Sequence, residues 1–99
     1  RVLFRSLNKE RKRLEAQERQ ERAKARRETQ KRVTELEKAI AELETRQKEL
    51  TAELENPETY EKGGRAVQVN RELMEVVEDL EARTAEWEKA ASDLAALND

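Results

Sequence analysis

The sequence contains no cysteine and no histidine, and proline, tryptophan, tyrosine and phenylalanine occur once each. Without thiols or imidazoles the chain cannot build a zinc finger, a disulfide framework, a cysteine nucleophile or a histidine base. With only two glycines as well, it has too few turn and strand residues for a sandwich or barrel. We therefore predict an all-α fold with no metal or cofactor site in this chain.

Hydrophobic side chains are also scarce, at 35% of 99 residues against 44% charged. This leaves too little apolar mass for a globular core, so a compact enzyme is disfavoured. No apolar run approaches the roughly 20 residues that span a bilayer, and no signal-peptide core follows the N-terminus. We expect no membrane contact and a cytoplasmic location.

Helix-favouring Ala, Glu, Lys, Leu, Arg and Gln dominate, which is typical of a coiled coil or of a disordered polyampholyte. Periodicity favours the coiled coil, because residues spaced alternately by three and four form a seam with one polar break: Val33, Leu36, Ile40, Leu43, Gln47, Leu50 and Leu54. Pairs such as Glu42 with Arg46 are spaced to add i,i+4 support.

The first predicted helix must end near Pro57, which lacks an N–H and disfavours helical geometry at the residue before it. Asn56 is a suitable N-cap for one short helical turn before Gly63 and Gly64, so we predict a turn over about 56–64. We expect Tyr60 to hold the turn against the ends of both helices; recognition of a ligand is the less favoured alternative.

A second seam follows the turn, again with alternating spacing: Asn70, Leu73, Val77, Leu80, Thr84, Trp87, Ala91 and Leu94, widened by Val69, Val76, Ala90 and Leu97. Two seams of similar length joined by a short connection predict a two-helix antiparallel coiled-coil hairpin, monomeric, with helices over 7–55 and 65–97. The register places Leu36 beside Trp87 and Leu43 opposite Leu80. The structural anchors are then Leu36, Ile40, Leu43, Leu50, Leu54, Pro57, Tyr60, Leu73, Leu80, Trp87 and Leu94.

Charge divides the chain unequally. Residues 1–32 carry 13 Lys or Arg against five Glu, a net charge of +8, whereas residues 33–99 carry eight against 18, a net charge of −10. The second helix ends near Leu97, which the register places near Arg26, so residues from Leu7 to about Ala25 lack a partner. We predict a basic helical arm over 7–32, ahead of the hairpin over 33–97. Its cations are expected to lie all round the helix, with Glu15 paired to Arg19. Such an arm suits phosphate backbones; a merely solubilising charge run is the alternative.

Residues 1–6 fit no heptad. They resemble the in-frame translation of a sequencing-library adapter, so we expect a non-native or irregular segment; a natural loop is the alternative.

The turn and second helix resemble the C-terminal coiled-coil domain of the ABC-F subfamily of ATP-binding cassette proteins, which are soluble ATPases. The resemblance rests on the stretch from Leu54 to Tyr60, with Tyr three residues after Pro57, and on Leu73, Leu80 and Trp87-Glu88. The charged stretch from Lys9 to Ala16 is similar to the segment that follows the second ATPase domain of that family.

The resemblance implies a non-catalytic accessory domain of a translation-associated ATPase that acts on the ribosome or binds DNA. No phosphate-binding glycine loop is present, so ATP and Mg would belong to parent domains in cis that lie outside this chain. The expected partner is DNA or ribosomal RNA, bound without sequence specificity through the arm. The candidate contact residues are Arg11, Lys12, Arg13, Arg19, Arg22, Lys24, Arg26, Arg27, Lys31 and Arg32.

Two other classes of function remain open. A purely structural or oligomerising coiled coil would associate in a concentration-dependent way. An enzyme would need a carboxylate pair such as Glu78 and Asp79, but adjacent helical residues diverge by about 100° and cannot converge on one bond.

Overall fold

The computed structural model describes residues 2–99, with side chains from Leu3 onward. Helix α1 spans Val2–Glu55, a 3₁₀ turn spans Pro57–Tyr60 and helix α2 spans Ala66–Asn98. The two helices pack against each other in a body of 90 × 18 × 14 Å, and no strand occurs over the described residues. The predicted all-α hairpin with an overhanging first helix is confirmed.

The predicted helix ends agree with the structure except at the N-terminus. Helix α2 differs from the expected 65–97 by one residue at each end. Helix α1 begins at Val2 rather than at Leu7, so residues 2–6 are helical instead of irregular. No Gly or Pro stands before Leu7 to stop the helix, although the heptad pattern is absent there. Arg1, the first residue of that segment, lies outside the described residues.

The turn is built as its capping residues predict. The side chain of Asn56 accepts a hydrogen bond from the backbone N–H of Glu58 at 3.0 Å, and Pro57 occupies the first position of the 3₁₀ turn. Gly63 has a φ of +83°, a left-handed conformation that L side chains disfavour. These features reverse the chain between Glu55 and Ala66.

Tyr60 and Thr59 tie the turn to the last carbonyls of α1. The Tyr60 hydroxyl donates to the backbone oxygen of Leu54 at 2.6 Å, and the Thr59 hydroxyl donates to that of Glu53 at 2.5 Å. The tyrosine ring itself is 61% exposed. Tyr60 therefore anchors the turn on α1 by a hydrogen bond, with its ring on the surface.

The core lies in two clusters along the seam. Near the turn, buried Leu50, Val69 and Val76 are packed by half-buried Leu43, Leu54, Leu73 and Leu80. Towards the arm, buried Val33, Leu36 and Ala90 are packed by Trp87 and Leu94. Leu36 thus shares a cluster with Trp87, and Leu43 shares one with Leu80.

The seam of α2 differs in one of its two positions from the sequence prediction. Residues 73, 80, 87 and 94 face α1 as expected, but the alternate position belongs to Val69, Val76, Arg83, Ala90 and Leu97. Asn70, Val77 and Thr84 are exposed, and Ala91 is half-buried. Both sets satisfy the three-four alternation, and only packing against α1 selects between them.

Among residues 2–99, three ion pairs at heptad intervals link α1 to α2 and to Arg65, the residue that caps the start of α2. Arg46 Nε donates to Glu72 Oε1 at 2.9 Å, Arg32 Nη2 lies 3.4 Å from Glu86 Oε2, and Arg65 Nη1 lies 3.7 Å from Glu53 Oε2. The three pairs follow one another by fourteen and then seven residues on both helices. This matched spacing shows a single register along the hairpin.

Arg46 is the centre of this arrangement. Its predicted partner was Glu42, but the guanidinium instead reaches Glu72 across the seam and Glu49 on its own helix at 3.0 Å. The hydrogen bond with Glu72 is the main cause that raises the pKa of Arg46.

Candidate nucleic-acid interface

The basic arm is the N-terminal part of α1, residues 7–32. The register of the three ion pairs places Leu97 opposite about Glu21, so α1 runs past the end of α2 only up to about residue 20. The first buried side chain of α1 is Val33, and residues 3–32 are all exposed or half-buried. The ten candidate cations between Arg11 and Arg32 are all exposed. Because the arm is continuous with the seam-forming part of α1, the hairpin holds it as one extended helix.

Only two of the ten cations form ion pairs within residues 2–99. Glu15 lies 3.8 Å from Arg11 rather than beside its predicted partner Arg19, and Arg32 contacts Glu86. Over the same described range, no carboxylate lies within 4.0 Å of the other eight, which are Lys12, Arg13, Arg19, Arg22, Lys24, Arg26, Arg27 and Lys31. These eight side chains are available to an external anion.

The cations occur on both sides of the helix, as predicted, but they are concentrated on one of them. At about 100° of rotation per residue, nine of them project within an arc of about 160°. We call this the basic face; it comprises Arg5, Lys9, Lys12, Arg13, Arg19, Lys24, Arg26, Arg27 and Lys31. Arg5 and Lys9 were not among the predicted contact residues. They could have been identified from their angular position on the helix, which is the same as that of the other seven cations of the basic face.

The opposite side of the arm has a different character. All five glutamates of the arm project there, together with Leu7 and Leu14, which are 58% and 50% exposed. We call this the glutamate side; Arg11, Arg22 and Arg32 are the cations that it includes. Val33 and Leu36, which contact α2, project from the same side. The basic face therefore points away from α2.

The turn, at the opposite end of the hairpin from the arm, also carries two exposed cations. Lys62 is exposed, whereas Arg65 is held near Glu53. Between the turn and the arm lies the acidic body, with the net charge of −10 over residues 33–99. An approaching polyanion thus meets favourable charge at the arm and, to a lesser extent, at the turn.

Other surface features offer no comparable chemistry. A shallow groove of about 350 Å³ between the helices is lined by Ala39, Glu42, Leu43, Asp79 and Arg83. Glu78, the neighbour of Asp79, is exposed and does not line this groove. Among residues 2–99, no group of three acidic side chains is placed to hold a metal ion, and neither helix has the length of apolar sequence needed to cross a membrane.

Residues 2–99 thus form an antiparallel helical hairpin with a charged N-terminal overhang. Residues 24–91 match the family described as the ABC transporter C-terminal domain, and the chain belongs to that family. No curated protein and no solved structure matches the chain.

The family match covers only part of the candidate nucleic-acid interface. It includes the whole turn, the buried residues of both core clusters and the candidate cations from Lys24 onward. The five candidates Arg11, Lys12, Arg13, Arg19 and Arg22 precede it. Family membership thus indicates that the hairpin is a non-catalytic accessory domain. It gives no information on the part of the arm before Lys24, for which only the structure of α1 is informative.

Proposed function

We propose that this chain is the C-terminal accessory domain of an ABC-F ATPase and that it binds DNA or ribosomal RNA through the basic arm. Family membership supports the accessory role. The subfamily rests on the pattern of Pro57, Tyr60 and Trp87, and with it come a cytoplasmic location and an association with the translating ribosome.

One observation carries the binding proposal. Among residues 2–99, eight exposed cations on α1 have no carboxylate within 4.0 Å, and the part of α1 before about residue 20 extends past the end of α2. Lys and Arg on an exposed helix neutralise phosphates and release their counterions, which supplies affinity without reading base sequence. The acidic body is repelled by the same phosphates, so the arm, which carries more free cations than the turn, is the main contact surface.

ATP and Mg belong to parent domains in cis under this proposal. The residues of this chain do not fit a nucleotide, because its two glycines are adjacent in the turn and no glycine-rich phosphate loop exists. The hairpin buries its own seam and is proposed to act as a monomer.

A comparison of arm and turn variants tests the proposal. Arg19→Gln with Arg26→Gln removes two charges from the arm, and Lys62→Gln with Arg65→Gln removes two from the turn. Gln is nearly as good a helix former as Arg, so helical content by circular dichroism should not change in the arm variant. Binding to a 20-base-pair DNA and to a ribosomal RNA hairpin is measured by fluorescence anisotropy at one low salt concentration.

We expect the arm variant to lose several-fold in affinity while the turn variant binds as the original chain does. If only the turn variant lost affinity, the contact surface would be the turn rather than the arm. If the original chain bound neither nucleic acid, the binding proposal would fail and a purely structural or oligomerising coiled coil would remain.

A further inference from the structure

We infer that the arm binds double-helical nucleic acid through the basic face alone, with its glutamate side turned outward. This inference rests on the proposed function and specifies which residues of the arm make the contact and what form of nucleic acid they fit.

The segregation of charge is the first observation. The basic face holds nine cations and no carboxylate, whereas the glutamate side holds all five carboxylates of the arm. Rotating the arm about its axis by half a turn would present Glu10, Glu18 and Glu21 to the phosphates. Only one orientation is therefore attractive along its whole length.

The ion pairs divide the cations in the same way. Arg11 and Arg32 lie on the glutamate side, and both contact a carboxylate, of Glu15 and Glu86 respectively. No cation of the basic face has a carboxylate within 4.0 Å among residues 2–99. Cations already paired in the chain must break that contact before they can neutralise a phosphate, whereas those of the basic face need not.

The position of α2 is the third observation. The side chains of α1 that contact α2 project from the glutamate side, so the acidic second helix lies behind the arm as seen from the basic face. A rod-like polyanion can lie against the basic face without approaching α2.

The shape of the face favours a duplex over a single strand. From Arg5 to Lys31 it extends about 39 Å along a continuous helix, close to the length of one turn of duplex. Single-strand binding relies on aromatic platforms that stack bases, and none lies on this face. Phe4 projects from the glutamate side, Tyr60 lies in the turn and Trp87 packs in the seam.

Two matched triple variants of the full chain test the inference. The first replaces Arg13, Arg19 and Arg27 of the basic face by Gln; the second replaces Arg11, Arg22 and Arg32 of the glutamate side by Gln. Both remove three arginines from the same helix. Affinity is measured against salt for 20-base-pair DNA, 20-base-pair RNA, a single strand of equal length and vesicles of anionic lipid. Arg→Lys at 13, 19 and 27 is the charge-preserving control.

We expect the first variant to lower the slope of log affinity against log salt by up to about 2.7 on duplex, which is about 0.9 for each contact removed. The second variant should lower the slope by less than about 0.9, the value for one contact. The Lys control should keep the slope of the original chain. The DNA and RNA duplexes show which source of phosphate backbone is preferred.

Three results would overturn the inference. Equal losses in the two Gln variants would show that the whole circumference of the arm makes contact, although nucleic-acid binding itself would stand. Equal or tighter binding of the single strand would exclude the duplex as the preferred form. Binding of anionic vesicles without binding of any nucleic acid would refute both this inference and the proposed function.

Discussion

At the scale of single residues, Trp87 has the largest side chain in the seam. It packs against the cluster of Val33, Leu36 and Ala90, and its indole Nε1 is buried with no hydrogen-bond partner among the described residues. Its contribution is therefore one of shape and apolar contact, partly offset by an unpaired donor.

Trp87→Ala is expected to lower the free energy of unfolding by about 3 kcal/mol, because it leaves a void in a cluster of only three buried residues. Trp87→Phe keeps an aromatic ring and removes the unpaired donor, so it should change stability by less than about 1 kcal/mol. Urea unfolding followed by circular dichroism measures both, and an unaltered transition for the Ala variant would show that the ring does not pack in the seam.

Arg83 is the one charged residue at a seam position of α2 within the described residues. Its Nε is buried and lies 3.0 Å from Glu86 Oε2 but without the alignment of a hydrogen bond, so the contact is an ion pair only. It stands between the two apolar clusters and interrupts the core.

Arg83→Leu should raise the free energy of unfolding by about 1 kcal/mol, since an apolar side chain would join the two clusters. Arg71→Leu, on the exposed surface of the same helix, is the matched control and should change it by less than about 0.5 kcal/mol. A lower free energy of unfolding in Arg83→Leu would mean that the ion pair with Glu86 stabilises the hairpin more than a continuous apolar seam would.

At the scale of elements, the two glycines of the turn carry different constraints. Gly63 needs its left-handed backbone but has open space where a Cβ would lie. A Cβ at Gly64 would lie 2.7 Å from the backbone oxygen of Glu61 and closer still to that of Thr59. The first constraint is one of backbone energy and the second one of space.

We therefore expect Gly63→Ala to cost about 1 kcal/mol and Gly64→Ala to cost more, because backbone atoms must move to admit the second methyl group. Thermal melting of the two variants compares them directly. The reverse order, or no difference, would contradict the geometry of the turn.

The sequence predicted the turn correctly but only part of the seam of α2. Pro57, Asn56 and the glycines are local signals, and they place the turn correctly because their effects depend on neighbouring backbone atoms. The choice between Val69 and Asn70, or Val76 and Val77, could not be made from spacing, since both sets alternate by three and four. That choice depends on how α2 rotates against α1, and the buried Val, Ala and Leu side chains decide it.

At the scale of the whole molecule, the hairpin is an elongated rod. The radius of gyration is 24.5 Å, against about 13 Å for a compact globule of similar length. Small-angle scattering should give about 25 Å with a forward intensity per unit mass that does not change with concentration. A forward intensity that rises with concentration would indicate association between chains and support the oligomerising alternative.

The candidate site was only partly accessible from the sequence. Net charge identified the arm, because the counts for residues 1–32 and 33–99 differ so strongly. The pairing of Glu15 with Arg11, and of Arg32 with Glu86, could not be chosen from spacing, since each carboxylate has several cations within reach. The continuity of α1 from Val2 gave every cation a defined angle, and from those angles the basic face follows.

The salt dependence of binding by the unaltered chain tests the account most directly. If three or more cations of the arm neutralise phosphates, the slope of log affinity against log salt on a 20-base-pair duplex should be steeper than about −2.7. A slope near zero, or no measurable binding at low salt, would contradict the claim that the arm is a phosphate-binding surface.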